Sequence, residues 1–246
     1  MNPTAVFLSL LGTALAVSAV GFLRLIWFIS VGYGYAIAAL ALVLGGWAAP
    51  AGLTVLLALQ LALLFAYGVR LGTFVLLREK QAAYRQAVQA TYGEATGGLG
   101  LKYAIWGAVS LLYVAMFSPA VFHALRAEPV PPLAVAGLGV MTGGLCIEVL
   151  ADRQKSVAKR LNPARFCDRG LFSWVRCPAY FGEMLFGVGN SRRGTRGFPA
   201  CRLVLSNKIT FYPRGKMLAG GLLRGRFAGW RSPSRAVNHP VRRWSR

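Results

Sequence analysis

The longest run without a charged residue extends from Leu25 to Val69 and reads LIWFISVGYGYAIAALALVLGGWAAPAGLTVLLALQLALLFAYGV. About 20 apolar residues in a helix cross the hydrocarbon core of a bilayer, so this run is long enough for two crossings. The turn-forming residues Ala49-Pro50-Ala51-Gly52 divide it near its middle. The sequence therefore predicts two membrane helices joined by a short turn.

Further uncharged runs lie on both sides of this stretch. The chain is 56% hydrophobic and 14% charged, whereas a soluble domain carries about a quarter charged residues. Backbone polar groups cannot be left bare in lipid, so the spans must be helices. We predict an all-α, polytopic transmembrane bundle of about six spans, with Arg24 alone dividing the first two. The predicted spans are 4–23, 25–47, 52–77, 103–125, 131–150 and a shorter one near 171–190.

The basic residues between the spans indicate the orientation. Loops 78–102 and 151–170 are rich in Lys and Arg, whereas the turns at 48–51 and 126–131 contain only Arg126. By the positive-inside rule, the two basic loops are expected to be cytoplasmic, which places the N-terminus outside. Residues 1–23 lack a basic region before their apolar run, so a cleaved signal peptide is not favoured.

The tail from residue 191 to residue 246 differs from the rest of the chain. It contributes +14 of the net charge of +21 and has no acidic residue, whereas residues 1–190 contribute +7. Anionic lipid head groups would bind such a tail and the basic loops. Nucleic acid is not expected as a partner, because no aromatic platform or reading helix accompanies the charge. The interpretation we favour is a frame-shifted reading of a GC-rich gene, which yields Arg-, Gly-, Pro- and Ser-rich sequence.

The residues that commonly bind metals are few and scattered. The four cysteines form no CxxC pair, and their spacing indicates neither a zinc site nor a disulfide framework. His123 and His239 are the two histidines. A metal centre is therefore not expected.

One dense polar stretch, from Glu148 to Glu183, could carry chemistry. Glu148 and Asp152 are four residues apart and so share a helix face, which Lys155 and Lys159 continue. One interpretation is a helix end with local ion pairs, such as Asp152 with Lys155. The other is a cationic funnel for a phosphate-bearing cofactor, in which the two acids bind ribose or amide groups.

Glu183 lies inside an apolar run, and an ionisable residue in a membrane span indicates a functional site. Pro178 interrupts the helix before it, and Gly182 permits close approach of another group. Tyr180 adds a phenol that could donate a proton, although an interfacial tyrosine is a common alternative.

These motifs resemble the steroid 5-alpha-reductase-like family of membrane proteins, in its bacterial branch. The resemblance covers about residues 50–190. It rests on four segments of this sequence. The first two are Gly68-Val69-Arg70-Leu71-Gly72 and Tyr84-Arg85. The third combines Ile147-Glu148, Ala151-Asp152 and Gln154-Lys155, and the fourth is Gly170-Leu171-Phe172 followed by Arg176, Pro178 and Tyr180-Phe181-Gly182-Glu183.

The resemblance implies a helical bundle in a bacterial inner membrane that binds NADPH from the cytoplasmic side. Such an enzyme reduces an activated carbon–carbon double bond of a lipid-like substrate. The resemblance implies cofactor contacts at Asp152, Tyr180 and Glu183. Tyr180 and Glu183 are also the candidate catalytic residues. Further candidate cofactor contacts are Arg70, Glu148, Lys155, Lys159 and Arg176.

Three departures from the family pattern set expectations for activity. Cys177-Pro178-Ala179 stands where the family has His-Pro-Asn, and a Trp expected shortly after Gly182-Glu183 is absent. The resemblance also stops at about Asn190, before the segment that completes the family's cofactor site. We therefore expect a catalytically weak or inactive chain.

Two other functions stay open. An isoprenylcysteine carboxyl methyltransferase shares the related family's Arg-His-Pro-x-Tyr element, which reads Arg176-Cys177-Pro178-Ala179-Tyr180 here, and would bind S-adenosylmethionine in a comparable pocket. A non-catalytic membrane protein with a lipid-binding basic tail is the other alternative. The Ala-Asp-x-Gln-Lys segment and the Gly-Glu pair favour the reductase.

Overall fold

The computed structural model describes residues 2–81, 98–125, 132–161, 167–175, 177–191, 209–212 and 216–219. The helices are α1 (Pro3–Ser18), α2 (Val31–Ala48), α3 (Val55–Glu79), α4 (Leu99–Leu125), α5 (Pro132–Leu161), α6 (Leu171–Trp174) and α7 (Pro178–Ser191). Two 3-10 turns, Ala19–Phe22 and Leu25–Phe28, lie between α1 and α2. The all-α, polytopic bundle predicted from the sequence is confirmed.

Five helical segments in the described ranges are long and apolar enough to cross a membrane. They are Pro3–Phe22, Leu25–Ala48, Val55–Glu79, Leu99–Leu125 and Ala134–Leu161. Each corresponds to one of the first five predicted spans. The first helix also supplies core side chains, because Val6, Leu10 and Ala14 are buried.

The end of the fifth span and the sixth span differ from the prediction. Helix α5 continues to Leu161, because its polar end has no Gly or Pro and is rich in good helix formers. Part of the predicted loop 151–170 is therefore helix. The predicted span 171–190 is the one-turn helix α6 followed by the 14-residue helix α7. At 1.5 Å per residue, α7 is about 21 Å long, shorter than a bilayer core of about 30 Å.

Arg24 lies in extended conformation between the two 3-10 turns, as expected for a residue that separates two spans. Its Nη1 is 3.8 Å from Oε2 of Glu79, near the end of α3. The indole of Trp27 donates a hydrogen bond to the same carboxylate oxygen. These contacts fasten the bend between α1 and α2 to the end of α3.

Glycines bring the backbones of two helix pairs into contact. A Cβ added at Gly34 of α2 would lie 2.5 Å from the amide nitrogen of Gly72 in α3. A Cβ added at Gly144 of α5 would lie 2.6 Å from the carbonyl oxygen of Gly182 in α7. Close approach of this kind is a main source of helix association in lipid, where helices gain nothing by leaving an apolar solvent.

The glycine through which α5 contacts α7, Gly144, is not one of the glycines that form a small-xxx-small pattern in the α5 sequence. Gly139 and Gly143 form a small-xxx-small pair, but a Cβ at either would meet no atom within 4 Å. Packing instead follows a buried stripe at helical spacing. This stripe consists of Ala134, Gly137, Met141, Gly144, Glu148 and Ala151.

A buried polar network joins three helices at a distance from the basic loops. The Gln60 amide of α3 donates to Oδ1 of Asn190 in α7 at 2.7 Å. The Oε1 atom of Gln60 lies 2.8 Å from Nδ1 of His123 in α4. Gln60 and Asn190 are almost fully buried, so these hydrogen bonds satisfy polar groups that lipid cannot.

The basic tail contains a short hairpin that the sequence analysis did not predict. Strands β1 (Ile209–Tyr212) and β2 (Lys216–Ala219) pair antiparallel, with Ile209 opposite Ala219 and Tyr212 opposite Lys216. The segment Ile-Thr-Phe-Tyr consists of residues that favour strands. The rest of the tail beyond Ser191 lies outside the described residues.

We expect Gly144→Ala to lower the midpoint of thermal unfolding in detergent. The added methyl would press on backbone atoms of α7, which cannot move aside as a side chain can, and overpacking of this kind costs about 1–3 kcal/mol. Gly143→Ala is the matched control, because it adds the same methyl at a position with open space. Equal midpoints for the two variants would contradict the close α5–α7 contact.

Candidate functional site

Arg70 of α3 joins two carboxylates of α5. Its Nη1 is 2.5 Å from Oε1 of Glu148, and its Nη2 forms an ion pair with Asp152. Nη2 also donates to the main-chain carbonyl of Glu148 at 3.3 Å. The structure thus brings together three candidate residues from distant segments of the chain. Asp152 pairs with Arg70 of another helix, and Lys155, one turn further along α5, is a second positive neighbour of this carboxylate.

The local sequence explains how Glu148 comes to be buried. It occupies the buried stripe of α5, where every other member is small or apolar. Gly182 lies opposite it on α7, and a Cβ there would come within 3.1 Å of the Glu148 Cβ. The expectation that Gly182 permits a close approach is therefore confirmed. Glu148 Oε2 is buried without a hydrogen-bond partner among the described residues.

Tyr67 is a site residue that the sequence analysis missed. It precedes Arg70 by three residues and therefore shares its helix face. Its side chain is 2% exposed, and its ring stacks on Phe186 of α7 with centroids 4.4 Å apart. Its hydroxyl has no hydrogen-bond partner of good geometry in the described residues. The carboxylate of Glu183 and the phenol of Tyr33 are polar neighbours of that hydroxyl.

Glu183 is half-buried on α7 and belongs to this cluster, as the sequence suggested. Tyr180 does not, because 67% of its surface is exposed. The two residues are three positions apart on α7, and α7 begins only two residues before Tyr180. The catalytic roles assigned to Tyr180 and Glu183 remain predictions.

The basic candidates lie on the surface near the end of α5. Lys155 and Lys159 are exposed there, one and two turns beyond Asp152. Arg169 is also exposed. Arg176 lies outside the described residues. The arrangement places acids in the bundle and cations beside them at one end.

Gln154 of the Ala-Asp-x-Gln-Lys segment has a structural role. Its Oε1 accepts a hydrogen bond from the main-chain amide of Leu171 at 2.9 Å. A Cβ on Gly170, whose φ is +64°, would come within 2.6 Å of that oxygen. The side chain of Gln154 thus holds the start of α6 against α5.

A groove of 630 Å³ opens between α3 and α5 on the outside of the bundle. Arg70 and Asp152 form part of its lining, and most of the remaining lining is apolar. The ion-pair cluster therefore faces both the interior of the bundle and this groove.

The chemistry of the buried cluster is that of recognition and proton transfer. It contains one guanidinium, three carboxylates (Glu148, Asp152 and Glu183) and the Tyr67 phenol. Carboxylates accept hydrogen bonds from hydroxyl and amide groups, and a phenol can donate one. In the membrane, such a concentration of ionisable groups is expensive and indicates a site of function.

A comparison with protein-family models identifies the family of this chain. Residues 19–191 match a family described as protein of unknown function (DUF1295). No curated protein and no solved structure matches the chain. The match extends further towards the N-terminus than the motifs discussed above, and it ends where α7 ends. Because it covers well over half of the chain, this protein belongs to the DUF1295 family.

Proposed function

We propose that this protein is a membrane-embedded, NADPH-dependent reductase of an activated carbon–carbon double bond in a lipid-like substrate. The observation that carries the proposal is the cluster of Arg70, Glu148 and Asp152 beside the buried Tyr67 phenol and Glu183. The motif resemblance to steroid 5-alpha-reductase-like proteins supports the same activity. In the proposed orientation, the basic end of the bundle faces the cytoplasm, from which the cofactor enters.

The donors and acceptors at this site suit a nicotinamide dinucleotide. Glu148 Oε2 is buried without a partner among the described residues and could accept a hydrogen bond from a carboxamide. In this proposal, Asp152 accepts hydrogen bonds from ribose hydroxyls of the cofactor. These acids would repel the phosphates of the cofactor. The phosphates are therefore expected at the exposed Lys155 and Lys159, which lie next to the acids. Arg70 neutralises part of the acidic charge and holds both carboxylates in place.

Tyr67 is the group best suited to act as the acid. When bound, NADPH would supply a hydride to the β carbon of the enone, and negative charge would develop on the carbonyl oxygen. The Tyr67 hydroxyl is buried and has no hydrogen-bond partner of good geometry among the described residues, so it can donate to that oxygen. Stacking on Phe186 fixes the orientation of the ring. The carboxylate of Glu183 is a polar neighbour of the Tyr67 hydroxyl.

The proposal includes slow turnover. Cys177-Pro178-Ala179 lacks the amide side chain that the His-Pro-Asn motif of steroid 5-alpha-reductase-like proteins offers the cofactor. The tail after Ser191 does not resemble the closing segment of those proteins. Binding and chemistry are therefore best measured separately.

We expect NADPH to raise the unfolding midpoint of the full chain in detergent. A ligand at 100 times its Kd stabilises a fold by about 2.7 kcal/mol, which shifts the midpoint by a few degrees. S-adenosylmethionine, tested in parallel, should give no shift. A shift with S-adenosylmethionine alone would point to the methyltransferase, and no shift with either would contradict cofactor binding.

Asp152→Asn should weaken NADPH binding about tenfold, because it removes a charged acceptor and hydrogen bonds to charged groups contribute about 1.5–3 kcal/mol. Glu79→Gln is the matched control, since it also neutralises a buried, paired carboxylate near the basic end. The measurement is the NADPH concentration that gives half of the thermal shift, each variant being compared with its own ligand-free form. A similar loss in both variants would argue against a contact at Asp152.

Tyr67→Phe should slow reduction about a hundredfold, the usual loss when one donor to a developing oxyanion is removed. NADPH binding should be kept. Tyr180→Phe removes a hydroxyl from an exposed tyrosine of α7 and is expected to leave the rate within twofold. The assay follows NADPH oxidation in a single turnover with excess protein over an enone. A loss confined to Tyr180→Phe would transfer the acid role to Tyr180.

A further inference from the structure

The groove between α3 and α5 exists because these two helices are not closely packed against each other. Helix α3 contacts α2 through Gly68 and Gly72, whereas α5 contacts α7 through Gly144. Arg70 crosses the space between them to reach Glu148 and Asp152. On the outer side of this connection the groove remains open.

The walls of the groove are apolar over most of their length. On α3 they include Phe65, Val69, Phe74 and Leu77, and on α5 they include Val149. Several of these side chains are exposed although they lie within membrane-spanning helices. The lining suits a hydrocarbon chain and offers few partners to a polar ligand.

The groove has the length of one leaflet. From Phe65 to Leu77 the chain advances twelve residues along α3, which corresponds to about 18 Å. Half of a typical hydrocarbon core is about 15 Å. An acyl chain lying in the groove would therefore reach from the bilayer centre to the head-group region.

Positive charge and hydroxyl groups lie at the end of the groove nearest the basic loops. Arg153 and Ser156 of α5 line it there, and Arg153 is exposed. The guanidinium of Arg78 lies 5.8 Å from the ring centre of Phe74, another lining residue. The acid of the lining, Asp152, is already paired with Arg70. This rim matches a phosphate head group and disfavours a cationic one.

We propose that the α3–α5 groove is a binding site for one anionic phospholipid. An acyl chain lies along Phe65, Val69 and Leu77, and the phosphate contacts Arg153 and Ser156. The groove shares Arg70 and Asp152 with the proposed cofactor site, but the lipid contacts proposed at Phe65, Val69, Leu77, Arg153 and Ser156 do not depend on reductase activity.

The first test uses the full chain purified in detergent and an equimolar mixture of phosphatidylglycerol and phosphatidylcholine with the same acyl chains. Native mass spectrometry measures which lipid stays bound. We expect one retained lipid per chain and at least a fivefold preference for phosphatidylglycerol. Equal retention of the two lipids would overturn the proposal, as would retention of neither.

The second test separates the groove from general surface charge. Arg153→Gln should weaken the binding of phosphatidylglycerol about fivefold, the change that corresponds to about 1 kcal/mol for one basic residue at an anionic surface. Arg160→Gln removes another exposed positive charge of α5, outside the groove, and should have little effect. Equal losses in the two variants would show attraction to the surface in general and would overturn the site.

The third test fills the groove. Val149→Trp places a large ring in it and should abolish retention of either lipid. Leu150→Trp is the matched control, because the neighbouring residue has similar exposure but does not line the groove. Both positions are partly exposed, so neither variant should prevent folding. Lipid retention by Val149→Trp at the level of Leu150→Trp would contradict an acyl chain in the groove.

Discussion

The ion pairs of Arg70 are the interaction on which the remaining structure depends. They connect α3, and the helices packed on it, to α5 and its close partner α7. A guanidinium and two carboxylates are costly in a membrane when separated, so each group stabilises the buried position of the others. Removing one partner would leave a buried charge without its counter-ion. Because that is costly, the cluster constrains the geometry of the whole bundle.

Glycine contacts set the distances at which these polar groups can meet. Because Gly182 has no side chain, α7 comes close enough to α5 for Glu148 and Glu183 to lie in the same cluster. The same closeness brings Phe186 onto the ring of Tyr67. Where the backbones are further apart, between α3 and α5, the space becomes the open groove. Thus close packing on one side of α5 and loose packing on the other produce the buried cluster and the groove together.

Much of the fold was predictable because uncharged runs such as Leu25–Val69 have few other structures open to them. The end of α5 was not, since polar helix formers beyond Asp152 look like a loop when only hydropathy is read. The site was predictable where a charge interrupts an apolar run, as at Arg70, Glu148 and Glu183. Tyr67 was missed because a tyrosine in an apolar run has no such signal, and only its spacing from Arg70 could have singled it out. Partners in space, such as Arg70 with Asp152, depend on packing that one sequence does not reveal.

The network of Gln60, His123 and Asn190 bears on the order in which the bundle assembles in the membrane. Gln60 and His123 are 63 residues apart, whereas Asn190 follows Gln60 by 130 residues. Membrane helices insert first and associate afterwards. During synthesis, the amide of Gln60 can therefore pair with the imidazole of His123 long before Asn190 emerges. Helix α7, the last of the described helices, then completes a network that is already half formed, which gives it a defined place to dock.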